Sequence, residues 1–301
     1  MARGRMERVE CEGVSVFLLI ILAVHHHTVE AEVEVKKMDM APYAVDFDFL
    51  ECRNEMLKAV TETGGLLQKE LDADKEFKTL WSKNDDVCQK SVPGGTPDHV
   101  RALHVYANSK NSFRKRFNNL VQIKGANVTT YKDGFHFKSL YFFLMDSMRL
   151  LKHTNSCRNV YYATKNKYMA DEKAEVRFGR FMNAVNTKSS QIETIDTEEG
   201  GTFFSINSCF VFNVEENTCK SDEMQNIISP VEVFRVQSVK VKTTNDNTKY
   251  KEITLQHSRF LSTPSCPFLP RNTADVGAST SLFFILLTVT ASLLTQFSLS
   301  P

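Results

Sequence analysis

The chain has 301 residues, of which 42% are hydrophobic and 22 are phenylalanine, enough apolar material for a sizeable core. Its formal net charge is +1, so the charge balance does not favour nucleic acid or an anionic membrane surface as a partner. The sequence contains no glycine-rich dinucleotide fingerprint and no phosphate-loop lysine motif, which excludes the commonest nucleotide-binding schemes.

The N-terminus has the features of a secretory signal. Three arginines precede the apolar run Val14–Val24, which is too short to span a bilayer but has the length of a signal-peptide core. We predict a signal peptide over residues 1–31 with cleavage after Ala31; an uncleaved anchor is the alternative. The histidines at 25–27 lie beside this segment, and we assign them no metal role.

Cysteine usage fits an exported protein. Cys11 lies within the predicted signal, so an even number of cysteines remains, which in an oxidising compartment predicts up to three disulfides of open connectivity. The chain has no Cys-x-x-Cys pair and no Cys/His quartet with zinc-binding spacing, so we predict no metal site.

The first half of the remaining chain is predicted to be helical. Thr96 and Pro97 form a helix start, with a hydroxyl cap followed by proline in the first turn. Helical spacing of apolar residues continues over 113–121 and is strongest over Phe135–Leu151, whose aromatic side chains we assign to the core. Asn127 begins an Asn-Val-Thr glycosylation acceptor, which we expect to be exposed.

From Cys157 onward the hydrophobic period changes towards two. The predicted strands are Arg158–Thr164, Thr202–Phe212, Val231–Lys242 and Glu252–His257. Helices first and strands later predict one α+β domain over residues 32–271 rather than alternating strand–helix units.

The C-terminal residues 272–301 fit a lipid-attachment signal. Leu282–Leu299 is apolar with no basic residue after it, whereas a spanning helix usually has lysine or arginine on its cytoplasmic flank. Small residues, a short polar spacer and an apolar tail predict a glycosylphosphatidylinositol (GPI) anchor, with Asn272 as the attachment residue. Gly277–Ser279 is a second candidate for attachment, and a plain C-terminal membrane anchor is the alternative to a lipid.

Five segments carry a family resemblance: FHFKSLYFFLMDSMRLL (135–151), CRNVYYATKNKY (157–168), AEVRFGRFMNAV (174–185), GGTFFSINSC (200–209) and IISPVEVFRV (227–236). They resemble the vertebrate cell-surface arginine-specific mono-ADP-ribosyltransferases, and the end signals and the positions of Cys52 and Cys266 agree with that family. The resemblance implies a helical N-terminal part followed by a mixed β-sheet core of the ADP-ribosyltransferase type, with two sheets packed across a dinucleotide cleft. It also implies NAD(P)+ as cosubstrate.

The resemblance fails at the positions that carry the family's chemistry. Tyr162 stands where the family has an arginine on the first strand. Asn183 and Val185 occupy the two serine positions after the Phe-Gly-x-Phe anchor. In the family's pair of glutamates, Glu223 matches the first and Gln225 replaces the second. The catalytic positions are therefore degenerate, and so are the cofactor-binding positions Tyr162 and Asn183.

These replacements predict lost or strongly reduced transfer. Cleavage between nicotinamide and ribose passes through an oxocarbenium-like transition state, which an anionic carboxylate stabilises. A unit charge at about 4 Å and an effective dielectric of about 20 contributes roughly 4 kcal/mol, so its absence at Gln225 costs on the order of a thousandfold in rate. Tyr162 offers one neutral donor where a guanidinium grips a phosphate through two charged hydrogen bonds.

Other interpretations stay open from sequence alone. Tyr162 is also explained as an aromatic residue packed at a strand end, Asn183 as a loop cap and Glu223 as a solvated carboxylate. An active NAD(P)+–arginine transferase that uses Glu223 is the alternative function. A slide of the loop by two residues would bring Glu223 to the place of Gln225, but it would leave Tyr162 unexplained. Nucleotide binding without turnover is a third hypothesis.

The resemblance also implies disulfide pairs, and the two remaining cysteines form the last one: Cys52–Cys266, Cys157–Cys209 and Cys88–Cys219. With the end signals it implies a protein on the extracellular face of the plasma membrane, held by its lipid anchor; a secreted form is the alternative. The implied partners are NAD(P)+ and extracellular or lumenal protein arginines.

Overall fold

The computed structural model describes residues 35–83, 90–151, 157–195, 200–219, 224–261, 263 and 266–269. The chain divides into two compact units, residues 1–35 and 36–301, and only Val35 of the first unit is described. The predictions for the signal peptide, Cys88, Glu223, Asn272 and the apolar tail lie outside the described residues. Within the described ranges, no helix is long and apolar enough to cross a bilayer.

The part before residue 152 is helical, as predicted. Its helices are α1 (Arg53–Thr61), α2 (Leu66–Ala73), α3 (Lys75–Ser82), α4 (Pro97–Asn108), α5 (Asn111–Ile123), α6 (Val128–Gly134) and α7 (Lys138–Leu150). Helix α4 starts at the predicted proline, and the backbone N–H of Thr96 donates to Nδ1 of His99 at 2.9 Å. The N–H groups in the first turn of a helix have no partner within the helix. Proline has no N–H to leave unpaired, so Pro97 suits this position.

Helix α7 forms the centre of the helical part. Every residue from Lys138 to Met148 is buried. The Tyr141 ring meets Phe181 edge-on at 5.7 Å, and the Phe142 ring meets Phe49 at 5.4 Å. The assignment of these aromatic side chains to the core is confirmed. The helix begins at Lys138 rather than at Phe135, because Phe135 closes α6 through its N–H to the Tyr131 carbonyl.

The second half forms a mixed sheet system, as predicted. Its strands are β2 (Arg158–Thr164), β3 (Lys167–Met169), β4 (Glu175–Val176), β5 (Met182–Ala184), β6 (Thr202–Ser208), β7 (Val211–Asn213), β8 (Asn226–Ile228), β9 (Glu232–Thr243) and β10 (Lys249–Phe260), with short helices α8 (Lys188–Ile192) and α9 (Val214–Asn217) between them. One further strand, β1 (Val35–Lys37), lies before the helical part. One sheet has the order β2-β6-β10-β9-β4 and another β5-β8-β7. Strand β10 runs parallel to β6 and antiparallel to β9.

The two sheets share one apolar core. Val160, Phe204 and Ile253 of the five-stranded sheet pack in the same cluster as Met182 and Ile228 of the three-stranded sheet. At one edge the sheets approach closely enough for β2 to exchange backbone hydrogen bonds with the residue that follows β5. Of the positions predicted from sequence, Tyr162, Asn183 and Gln225 lie at this edge.

The predicted strand Thr202–Phe212 is wrong in one respect, because it is two strands in different sheets. The chain turns between β6 and β7, where the buried Glu232 carboxylate accepts the Cys209 backbone N–H at 2.7 Å and the Ser208 hydroxyl. Burying a carboxylate requires such partners, and satisfying them bends the chain. Strand β10, in contrast, is longer than predicted because β6 and β9 pair with it on both sides.

Disulfides join distant parts of this fold. Cys52, just before α1, is bonded to Cys266, which lies 214 positions further along the sequence, and their Cα atoms are 6.3 Å apart. Cys157 and Cys209 link the neighbouring ends of β2 and β6. These are two of the three predicted pairs. Cys219 is also disulfide-bonded, and its predicted partner lies outside the described residues.

Candidate active site

Strand β2 presents Tyr162 at the edge where the sheets meet. Valine and tyrosine suit a pleated, half-buried strand, and Tyr162 lies directly opposite Phe204 of β6. The two rings stack with centroids 6.0 Å apart and planes 20° from parallel. Packing therefore accounts for the Tyr162 ring, while its hydroxyl lies beside the Arg180 guanidinium.

The Phe-Gly-Arg-Phe segment fixes the start of β5. Phe178 packs edge-on against Phe204, and Phe181 stacks on Phe117 at 5.7 Å. Gly179 has a φ of 62°, and a Cβ there would lie 2.5 Å from the Cβ of Ala41. Only glycine tolerates both the positive φ and that approach. The segment therefore holds its intervening residue, Arg180, at a defined position beside β2.

Asn183 and Val185 follow on β5 and just after it. Asn183 lies opposite Ile227 of β8. Val185 exchanges two backbone hydrogen bonds with Tyr161, each 2.9 Å long. A valine side chain offers no hydrogen bond to a ligand, so only the backbone of this position takes part in polar contacts. The structure thus brings β2 and β5 together at the positions counted from sequence.

Gln225 lies immediately before β8, at the same edge. Its side-chain oxygen Oε1 accepts the backbone N–H of Asn186 at 2.9 Å, and its backbone carbonyl accepts the N–H of Val214. The next residue, Asn226, donates its side-chain amide to Oδ1 of Asn186 at 2.9 Å. The loop after β5 is therefore held by two consecutive residues, Gln225 just before β8 and Asn226 at its first position.

The positions counted from sequence converge in the structure. Tyr162 and Val185 are joined through neighbouring backbone, Asn183 pairs across to β8, and Gln225 binds the residue after Val185. The first glutamate position, Glu223, lies outside the described residues. In the described part of the site, the position immediately before β8 holds the Gln225 amide instead of a carboxylate.

Arg180 is a site residue that sequence reasoning missed. Its partly buried guanidinium lies near the hydroxyls of Tyr162, Tyr168 and Tyr106. Burial lowers the pKa of Arg180, but the surrounding phenols raise it by more than burial lowers it. The pKa therefore lies above its ordinary value, and the group keeps its charge. The signal in the sequence was a charged residue set between two buried phenylalanines. Asn186, which acts through its backbone, left no such signal.

A second polar cluster lies at the far end of β6. The atoms of Cys209, Glu232 and His257 that can ligate metals lie within 4.8 Å of one another. Nδ1 of His257 is 2.8 Å from the Glu232 carboxylate. Cys209 is in a disulfide with Cys157 and so has no thiolate to offer. In this arrangement the cluster braces the turn between β6 and β7.

Comparison with known sequences places these features in a family. The profile of the family "NAD:arginine ADP-ribosyltransferase" matches residues 38–260. Mouse T-cell ecto-ADP-ribosyltransferase 2 is 30% identical over 224 residues, 72% of each chain. Human ecto-ADP-ribosyltransferase 4 is 26% identical over 271 residues, which are 85% of this chain and 81% of the human one.

Solved structures agree with the sequence comparison. The crystal structure of the eucaryotic mono-ADP-ribosyltransferase ART2.2 superimposes with a TM-score of 0.58 at 26% identity, covering 76% of this chain and 97% of the enzyme. A glutamate-to-alanine variant of ART2.2 in complex with NADH gives a TM-score of 0.59 at the same identity, over 77% of this chain and 98% of the variant. The chain therefore belongs to the NAD:arginine ADP-ribosyltransferase family.

Proposed function

We propose that this protein is a cell-surface member of the family in which ADP-ribosyl transfer is lost or strongly reduced. The observation that carries the proposal is the 2.9 Å hydrogen bond from the Asn186 N–H to Oε1 of Gln225. This bond fixes the orientation of the Gln225 amide, because its oxygen must face the Asn186 N–H. The other polar group of the side chain is then the amide nitrogen, which is a donor. A glutamate held in the same way would keep a second anionic oxygen.

This difference acts on the transition state. As nicotinamide leaves, positive charge grows on the ribose, and a carboxylate beside it lowers the barrier. The amide NH2 group points partially positive hydrogens outward, and these cannot stabilise a growing positive charge. On the estimate of roughly 4 kcal/mol for a unit charge at about 4 Å, the replacement costs on the order of a thousandfold in rate.

We infer that the ligand of the cleft is NAD(P)+, with protein arginines as acceptors for any residual transfer. Variants of ART2.2, at 26% identity, are named as complexes with NADH and with NAD, which supports a dinucleotide here. Tyr162, Asn183, Val185 and Gln225 are the described residues that would line the site. An enzyme that turns NAD over through Glu223 is the competing outcome of the test below.

Nicotinamide release from a fluorogenic NAD analogue by the purified mature protein tests the proposal. We expect release at the level of a protein-free blank, and release raised by orders of magnitude in the variant Tyr162→Arg, Asn183→Ser, Gln225→Glu. This variant is made with Arg180 and also with Arg180→Gln, so that two guanidiniums are not forced together. The matched control is Gln191→Glu, which adds the same charge at a glutamine whose Oε1 accepts the Ala163 N–H at 2.9 Å.

The control should leave release at the blank level. Release by the unmodified protein at a rate comparable with that of the restored variant would overturn the proposal and favour Glu223 as the catalytic acid. If neither protein releases nicotinamide, the charge at position 225 is not what limits the reaction, and the assigned cause of inactivity is wrong.

We infer further that the protein reaches the cell surface through the signal peptide 1–31, carries a glycan on Asn127 and is held by a lipid on Asn272. Asn127 is exposed, and its Oδ1 caps α6 by accepting the Thr130 N–H at 2.8 Å. Phosphatidylinositol-specific phospholipase should shed the protein from expressing cells. Retention after digestion would instead favour a membrane-spanning tail. An Asn127→Gln variant should migrate faster on gels, and unchanged migration would exclude the glycan.

A further inference from the structure

Strand β2 lacks an arginine, yet a guanidinium lies against the residue that replaces it. The Arg180 guanidinium reaches the Tyr162 hydroxyl from the segment before β5. The backbone of this segment is tightly placed: Phe178 and Phe181 are buried on either side of Arg180, and Gly179 has no room for a side chain. The segment therefore holds the base of the Arg180 side chain beside Tyr162.

The partners of Arg180 distinguish it from its neighbour in sequence. Arg177 is also buried, and its guanidinium pairs with the Asp46 carboxylate at 3.1 Å. Arg180 is surrounded by phenols, including those of Tyr162 and Tyr168, and within the described residues no carboxylate pairs with it. The guanidinium is therefore charged without being held in an ion pair, and an anion can approach it without displacing a carboxylate. An anionic ligand at this place would supply the missing charge.

The chemistry of the group fits a phosphate. A guanidinium has five N–H donors in a planar fork, enough for a bidentate contact with a phosphate. The Tyr162 hydroxyl lies beside the fork, and the Tyr162 ring is itself held by stacking on Phe204. The Tyr168 ring meets the same phenylalanine edge-on at 5.4 Å. These rings form the aromatic surroundings of the Arg180 side chain.

We propose that Arg180 is the anion-binding residue of this cleft and that it binds the diphosphate of a dinucleotide in place of the arginine absent from β2. The proposal rests on the proposed function for the identity of the ligand, but it does not require that cleavage be lost. The protein would then bind NAD+ without turning it over. The guanidinium has moved from the strand to the adjoining loop, while the catalytic carboxylate has not been replaced.

Calorimetric titration of the mature protein with NAD+ at fixed salt tests the proposal. We expect measurable binding by the unmodified protein and at least a tenfold weaker Kd (about 1.4 kcal/mol) for Arg180→Gln, because charge-assisted hydrogen bonds are lost. Adenosine, which has no phosphate, should bind both proteins with the same affinity. The matched control is Arg235→Gln, which removes an exposed arginine of β9 and should leave the Kd unchanged.

An exchange variant sharpens the test. Tyr162→Arg combined with Arg180→Gln returns the guanidinium to the strand and should recover most of the affinity for NAD+. Tyr162→Arg alone places two cations together and should lower the Tm relative to the exchange variant. If Arg180→Gln does not fold, Arg180→Lys keeps the charge without the fork and should bind with intermediate affinity.

Two results would overturn the proposal: equal NAD+ affinity with and without Arg180, or no binding by the unmodified protein up to millimolar NAD+. Nicotinamide release is a separate readout. Turnover by the unmodified protein would refute the loss of transfer while leaving the role of Arg180 to be decided by the titration.

Discussion

Gln225 and a glutamate have nearly the same shape, and the bond from Asn186 suits both. Either side chain can accept the 2.9 Å hydrogen bond from that backbone N–H with one oxygen. The fold is therefore indifferent to the exchange, while the chemistry is not, because only the carboxylate has a second anionic oxygen. Structure and catalysis are separable at this residue, which is why we expect Gln225→Glu to be tolerated.

Glu70 is a buried acid with a structural task. It is 7% exposed and accepts the backbone N–H groups of Lys138 at 2.7 Å and Ser139 at 3.0 Å, the first residues of α7. Burial raises its pKa to about 7, although the hydrogen bonds from Ser139 and Lys138 act in the opposite direction. The carboxyl group therefore titrates near neutral pH in the folded protein.

The pKa of Glu70 predicts how stability depends on pH. A folded pKa above the ordinary value means that folding favours the protonated acid, so the contribution is complete below about pH 4.5 and is lost as pH rises through about 7. Between pH 5 and pH 8 the unfolding free energy should fall by about 2–3 kcal/mol from this group. Urea unfolding at pH 5 and pH 8 measures this fall in the unfolding free energy. The Glu70→Gln variant should lack this contribution to the pH dependence.

The control for this prediction is Glu62→Gln, which removes an exposed carboxylate before α2 and should keep the slope of the unmodified protein. The absolute stability of Glu70→Gln is not the readout, because an amide accepts with one oxygen where the carboxylate uses two. Equal pH slopes for the unmodified protein and Glu70→Gln would show that Glu70 is ionised throughout the range and that the pKa is not raised.

At the scale of elements, hydrophobic periodicity predicts the helices and strands whose structure is determined by their own sequence. Helix α4 starts at the predicted Pro97, and strand β2 has the predicted bounds, because each carries a cap signal or several β-forming residues. Strands β5 and β8 have three residues each, too few for a period to appear. Their place is set by pairing with each other, a contact between segments distant in sequence, so no local pattern identified them.

The same limit separates the site residues that were found from those that were missed. Tyr162, Asn183 and Gln225 were located by counting from well-matched anchors, and the structure brings these elements together. Arg180 lies inside an anchor, but its importance comes from contact with a different strand. Asn186 contributes only its N–H to the described contact with Gln225. Neither role depends on local sequence, so neither could be read without the packing.

For the whole molecule, one disulfide closes nearly the entire domain. The Cys52–Cys266 bond joins the start of the helical part to the chain after β10, across 214 residues. The Cys157–Cys209 bond closes a loop of 52 residues within the five-stranded sheet. In the chain-entropy description a crosslink stabilises the fold by restricting the unfolded chain, and the restriction grows with the logarithm of loop length.

The two bonds therefore make a matched pair for a stability test. Cys52→Ser with Cys266→Ser should lower the unfolding free energy by about 5 kcal/mol, and Cys157→Ser with Cys209→Ser by about 4 kcal/mol. The difference of about 1 kcal/mol follows from the ratio of the loop lengths, 214 to 52. The unfolding free energies of both variants are obtained from urea unfolding midpoints and slopes, with refolding under non-oxidising conditions. If removing the Cys157–Cys209 bond lowers the unfolding free energy more than removing Cys52–Cys266, loop closure is not the dominant contribution. The bond at the ends of β2 and β6 then acts through native packing around Glu232.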